Sequence, residues 1–228
     1  INYSQTGEIP SKLTKAAKMA EDLIKKNEKV IIWCWSIANI NVLENQLLKH
    51  LNPIVIHGKI SKDPNNIKNR DKLIKNFKKD KKARVLIASI SALSEAVSLH
   101  IDIDTVDGKE IVRKVCSNAI YLERNFNGAQ FMQSMDRIHR VGMDHKLTVN
   151  YYCLIAKNTI DEQIHDTLGE KIKKMGKALD DSWIEQLDYD GNELSSTKVD
   201  DNTWTITDAT KLDKIQYYVN DTFDTETS

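Results

Sequence analysis

Between Gln133 and Gly142 the chain reads QSMDRIHRVG, placing a glutamine, an aspartate, a histidine and two arginines within ten residues. Wound at about 100° per residue, residues 129–140 gather Phe131, Met132, Met135 and Ile138 on one side and Gln133, Asp136, Arg137 and Arg140 on the other. Arg137 and Arg140, three positions apart, then point the same way, with Gln133 one turn below and Gly142 as a C-terminal stop. A guanidinium stays charged at any working pH and offers a planar fork of donors matched to phosphate oxygens. Two such forks on one turn can bracket a chain of phosphates.

The elements that must position this string alternate strand with helix. Residues 11–27 carry Leu13, Ala16, Ala17, Ala20, Leu23 and Ile24 at helical spacing, with Ser11 as the expected cap. The apolar run over 30–35 suits a strand buried on both faces. A helix follows with Ile40, Leu43, Leu47 and Leu48 on its stripe, then a strand over 53–58 and a helix over 66–77. Further strands are expected over 84–90, 119–123 and 147–156, a short helical turn over 93–99, and a long helix from Thr159. The alternation predicts an α/β domain over 11–180 with a mostly parallel sheet, right-handed crossovers and a ligand site at the carboxyl ends of its strands. Period-two alternation on both sides of Asp107-Gly108 interrupts it, and predicts a β-hairpin inserted over 100–116. A calcium loop opening at Asp102 needs an acid where Arg113 stands, so no metal site is expected there. Residues 1–10 read as a leader and 181–228 as an acidic, partly disordered extension, with a short strand at 204–206 and a helix around 212–219.

Composition narrows the function classes. Lys and Arg together number 33, as do Asp and Glu, so no global basic field advertises a nucleic-acid partner, and any such contact must be local. Cys34, Cys116 and Cys153 lie far apart without metal-ligand spacing, which fits a reducing cytoplasm and excludes a zinc ribbon or disulfide framework. No apolar run reaches bilayer length, so no membrane partner is expected. The opening Ile1 suggests a piece of a longer chain.

The string from Gln133 to Gly142 resembles motif VI of superfamily 2 helicases and translocases, in the QxxDRxHRxG form of the Swi/Snf-type ATPases and their bacterial and phage relatives. The order of elements over 11–179 is similar to their second RecA-like lobe. That resemblance implies that Arg137 and Arg140 face an ATP held by a separate N-terminal lobe, with one acting as an arginine finger and with Gln133 and Asp136 orienting them. It also implies a nucleic-acid track, DNA or RNA, touching Ser36, His57, Gly58, Lys59, Arg70 and Ser91. Glu95 sits where motif V contributes to the nucleotide side, although Ser94 and Ala96 stand at its glycine positions. No GxxxxGK[ST] loop or DExH box is present, so the missing lobe must supply the phosphate cradle and magnesium, and this chain alone should not hydrolyse ATP. The alternative is a non-catalytic RecA-like module that binds without a motor partner.

Overall fold

The computed structural model describes residues 8–60, 69–93, 97–106, 109–139, 149–179, 196–200, 203–207 and 213–220. The first helix, α1 (Ser11–Lys25), buries Leu13, Ala16, Ala17, Ala20 and Leu23, the stripe its spacing predicts. Pro10 rather than Ser11 takes the cap position, with no side-chain cap. Strand β1 (Val30–Cys34) is buried throughout. Helix α2 (Ile37–Val42) continues through a π turn at Leu43–Leu47 and a 3-10 turn at Lys49–Leu51 into β2 (Ile54–Ile56). Then come α3 (Arg70–Lys79), β3 (Val85–Ser89) and a 3-10 turn at Ile90–Leu93, earlier than the expected turn over 93–99. The hairpin strands β4 (Ile101–Val106) and β5 (Lys109–Lys114) precede β6 (Asn118–Tyr121), α4 (Gly128–Met135), β7 (Val149–Ala156) and α5 (Ile160–Leu179).

Strands β2-β3-β1-β6-β7 run parallel in that order. Alternation along β1 explains how both faces are covered. Val30, Ile32 and Cys34 join the stripes of α1 and α2, while Ile31 and Trp33 join those of α3, α4 and α5. The result is a RecA-like doubly wound layer, helix on sheet on helix. Among the described residues, the non-glycine positions with left-handed backbone are all asparagines, Asn27, Asn52 and Asn158, with φ of 63°, 48° and 58°. Such residues tolerate that region better than branched ones.

Two expectations are corrected. Residues 212–219 do not form a helix, because Asp213–Asn220 is a strand, β10, paired in parallel with β7 along its whole length. Ile215, Tyr217, Tyr218 and Val219 favour extended backbone, and the otherwise open edge of β7 gives them a ladder to join. Two further strands, β8 (Ser196–Asp200) and β9 (Thr203–Thr207), continue the sheet antiparallel to eight strands, and β9 contains the expected strand at 204–206. The terminal segment 221–228 lies outside the described residues. The second correction concerns the helix expected over 129–140, which stops at Met135 and gives way to turns.

Candidate functional site

At the carboxyl edge, three adjacent strands deliver most of the expected track residues. Cys34 pairs with Ser89, and Ile56 with Ala88, so Ser36, the His57-Gly58 turn and Ser91 emerge at about the same level. The Ser36 hydroxyl caps α2, accepting from the Ala38 N–H at 3.2 Å. The turn after β2 closes through the Ile60 N–H to the His57 carbonyl at 2.9 Å, while the Lys59 N–H donates to His57 Nδ1 at 3.3 Å. Gly58 and Lys59 are exposed, and a Cβ on Gly58 would meet only open space. Ser91 is exposed just beyond β3. Arg70 opens α3, the helix that leaves this edge after β2, but it is only 7% exposed, beside the Asn69 cap. Glu95 lies outside the described residues.

A carboxylate that sequence reasoning missed organises this edge. Glu123, just past β6, accepts from the N–H groups of Trp35 and Ser36 at 2.9 and 2.8 Å through Oε2, and from Asn39 Nδ2 at 2.8 Å through Oε1. The backbone amides near Ser36, which the resemblance assigned to phosphate, are therefore already bound to an anion of the protein. Only the pairing of β1 beside β6 brings Glu123 there, a relation that no local spacing reveals. Next to it Arg124, 7% exposed, donates through Nη1 to His165 Nδ1 at 3.2 Å and lies 5.8 Å from the Phe131 ring centre. Because the guanidinium has only donors, the imidazole must be neutral with its proton on Nε2. Burial, and then the Arg124 charge, lower the His165 pKa to about 3. Lys12 on α1 pairs with Asp161 on α5, and burial lowers its pKa despite that partner.

The arginine string stands elsewhere. Gln133 and Asp136 are exposed as expected, but Arg137 is only 6% exposed, which overturns the expected outward guanidinium pair. With the helix ended at Met135, the backbone turns and carries Arg137 inward beside the buried Ile138. Tyr151 Oη donates to the Met135 carbonyl at 3.1 Å, and Ser134 Oγ lies 2.8 Å from Tyr121 Oη. The Leu99 N–H holds the Arg137 carbonyl at 2.7 Å. Leu99 leads into His100, whose carbonyl accepts from Val115 at 2.7 Å; the Ser117 carbonyl accepts from Asn150 at 2.7 Å, where β6 and β7 begin. These bonds place Arg137 toward the amino ends of the strands, away from the track residues. The reason is topological. The string follows a helix that returns from the end of β6 to the start of β7, whereas a carboxyl-edge site is built from strand-to-helix loops. Arg140 and Gly142 lie outside the described residues.

The hairpin is fastened beside this end. Asp102 lies 3.3 Å from Lys78 Nζ, 3.9 Å from Lys79 Nζ and 3.2 Å from Arg113 Nη2, and Asp104 lies 3.2 Å from Lys79 and 3.3 Å from Arg113 Nε. The two aspartates that hinted at a calcium loop are answered by the side chains of α3 and β5 themselves. Among the described residues no group of three or more His, Cys, Asp or Glu side chains could hold a metal ion, and no helix is long and apolar enough to cross a membrane. At the end of α4, Gln133 and Asp136 are exposed polar side chains, the amide able to donate and accept and the carboxylate able to accept.

Comparison with known proteins agrees with this architecture. The family description "Helicase conserved C-terminal domain" matches residues 12–142, up to the glycine that ends the arginine string. An uncharacterized ATP-dependent helicase of Mycoplasma genitalium is 28% identical over 173 residues, covering 74% of this chain and 14% of the relative. The ATP-dependent helicase FUN30 of Saccharomyces cerevisiae is 30% identical over 200 residues, covering 87% of this chain and 15% of the relative. Among solved structures, the C-terminal part of the Fun30 ATPase domain superposes with a TM-score of 0.53 at 26% identity, over 69% of this chain and 44% of that one. The Sulfolobus solfataricus SWI2/SNF2 ATPase core domain superposes with a TM-score of 0.51 at 20% identity, over 74% of this chain and 30% of that one, a likeness of fold. The chain thus spans a small fraction of the curated relatives it matches, and it belongs to the helicase conserved C-terminal domain family, with a RecA-like fold similar to that of Swi/Snf-type proteins.

Proposed function

We propose that this chain is the C-terminal motor lobe of an ATP-dependent nucleic-acid translocase or helicase, closing on an N-terminal RecA-like lobe over ATP. The observation that carries the reading is the run of the family match through the whole QSMDRIHRVG string. The relatives' designation as ATP-dependent helicases supports it. Bound ATP, with magnesium held by the partner lobe, supplies the phosphoryl chemistry. Arg140 then stabilises charge developing on the transferred group, an effect worth roughly 10³ to 10⁵ in rate for fingers of this kind. Arg137, buried and with its carbonyl held by Leu99, keeps the turn that aims Arg140, and Gln133 and Asp136 line the nucleotide side with it. Glu95 completes that side from motif V.

The track is the opposite edge, where His57, Gly58, Lys59, Ser36 and Ser91 follow one phosphate backbone without reading sequence, so that binding falls with salt. The space around Gly58 is open, so a phosphate backbone can come close to the main chain there. Arg70 supports this edge from within. With the arginine string at one end of the sheet and the track at the other, closure of the lobes over ATP is transmitted through the rigid sheet to the strand being gripped. The test is ATP hydrolysis by the intact two-lobed protein with single- and double-stranded DNA and RNA. Stimulation by nucleic acid is expected, with no turnover from the 228-residue chain alone. Turnover indifferent to nucleic acid, or hydrolysis by the chain alone, refutes the reading.

A further inference from the structure

Among the described residues β5 pairs only with β4, and Lys109, Glu110, Ile111, Val112 and Lys114 along it are exposed. Asp102 and Asp104 turn one face of the hairpin toward Lys78 and Lys79 of α3. Side chains alternate along a strand, so Ile103 and its partner Val112 stand on the other face, 52% and 62% exposed. The main chain alternates too. The His100 carbonyl accepts from the Val115 N–H at 2.7 Å, which makes these two a hydrogen-bonded pair and, by alternation, Asp102/Arg113, Asp104/Ile111 and Val106/Lys109 as well. The N–H and C=O groups of Glu110, Val112 and Lys114 therefore point away from β4. Such an outer row is a template for another strand.

We propose that the occupant is a second copy of this chain, joined β5 to β5 across a twofold axis into one antiparallel sheet. An axis through the sheet centres the pairing on one residue, and the sequence KEIVRK favours one centre. Centred on Ile111, Lys109 would lie opposite Arg113 of the second copy, and the main-chain groups of Ile111 already face β4. Centred on Val112, Glu110 lies opposite Lys114 of the second copy and Lys114 opposite its Glu110, two pairs of opposite charge. This register also lets the outward N–H and C=O groups of Glu110, Val112 and Lys114 bond to one another. Ile103 and Val112 then meet their counterparts in one apolar row across the joined sheet, which covers both. Lys114 lies 3.5 Å from Glu28, but its side chain is 37% exposed and its ammonium can meet a second carboxylate. The strand is only six residues long, so the interface is small and the dimer weak and reversible. This pairing is independent of the motor reading.

Sedimentation equilibrium of the 228-residue chain over a range of concentrations reads the association directly. Wild type is expected to pass from monomer to dimer as concentration rises. Glu110→Lys, or Lys114→Glu, sets like charges opposite each other twice and should weaken the dimer by about tenfold or more. A mixture of these two variants should associate again, since each supplies the charges the other lacks, a recovery that damage to the hairpin would not allow. Val112→Pro removes an N–H that β4 does not use, and should abolish the dimer while thermal unfolding stays near that of wild type. A dimer indifferent to Glu110→Lys and Lys114→Glu, or a mixture that stays monomeric, overturns the proposal. A wild-type chain that is monomeric at every concentration also overturns it, and leaves the edge to an extended segment of a different protein.

Discussion

Replacing Glu123 by alanine should unfasten the carboxyl edge, and the structure sets the scale of the effect. Three hydrogen bonds end on this carboxylate, at 2.8 to 2.9 Å, two from main-chain N–H groups and one from Asn39, which is only 7% exposed. Bonds to a charged acceptor are worth about 1.5–3 kcal/mol each where water is excluded. Trp35 is half exposed and its N–H can recover a water, so a net loss of about 3 kcal/mol is reasonable, most of it from Asn39 and Ser36. The glutamine variant should behave differently. The Oδ1 of Asn39 is buried without a hydrogen-bond partner, so rotating that amide presents an acceptor to the new NH₂ group. All three bonds then survive and only charge assistance is lost, at about 1 kcal/mol. Equilibrium urea unfolding distinguishes the cases: the alanine variant should fall by about three times as much as the glutamine variant. In a chain of this size the melting temperature of the alanine variant should drop by roughly 6–12 °C. An alanine variant within about 0.5 kcal/mol of wild type, the range of surface substitutions, would show that Glu123 is an ordinary solvated side chain.

Other consequences are open to simpler measurements. His165 titrates near 6.5 when unfolded but near 3 when folded, so the unfolded chain binds more protons between those values and stability must fall as pH drops through that window. Its contribution is complete above about pH 6.5 and declines by about 1.4 kcal/mol per pH unit below it. Unfolding at pH 7 and pH 5 should therefore differ by about 2 kcal/mol more in wild type than in His165→Gln, and equal differences would contradict the placement of that imidazole. Asp102→Ala removes the carboxylate shared by Lys78, Lys79 and Arg113, at a cost of about 1–3 kcal/mol for so partly buried a cluster. Amide exchange should accelerate in β4 and β5 while β1 stays protected, and uniform acceleration would mean that the hairpin does not open by itself.

Much of the scaffold was legible because burial imposes a period. The fully apolar run of β1 and the stripe of α1 could only be a covered strand and a half-buried helix. The hairpin was legible for the related reason that a two-residue turn between alternating runs fixes register: Val106 pairs with Lys109. What stayed hidden depended on partners distant in sequence. The segment Asp213–Asn220 contains no decisive local pattern, and becomes a strand because β7 leaves an edge for it. The burial of Arg137 was hidden because helical projection assumes that the helix continues, whereas α4 ends two residues earlier and the Leu99 N–H claims the turn. Glu123 was hidden for the same reason as β10: its three donors come from the turn after another strand, β1, and from the helix that follows it. That Ser36, Gly58 and Ser91 share an edge follows only from the sheet order, and that Arg70 is buried follows only from the packing of α3.

The division between an aiming arginine and a reaching arginine is tested most directly by single-turnover ATP hydrolysis in the intact two-lobed protein carrying Arg140→Ala, with nucleic acid saturating. The predicted result is a rate lower by about 10³ or more with ATP still bound and the lobe as stable as wild type. Hydrolysis at the wild-type rate, or a loss that follows unfolding of the lobe, would contradict it.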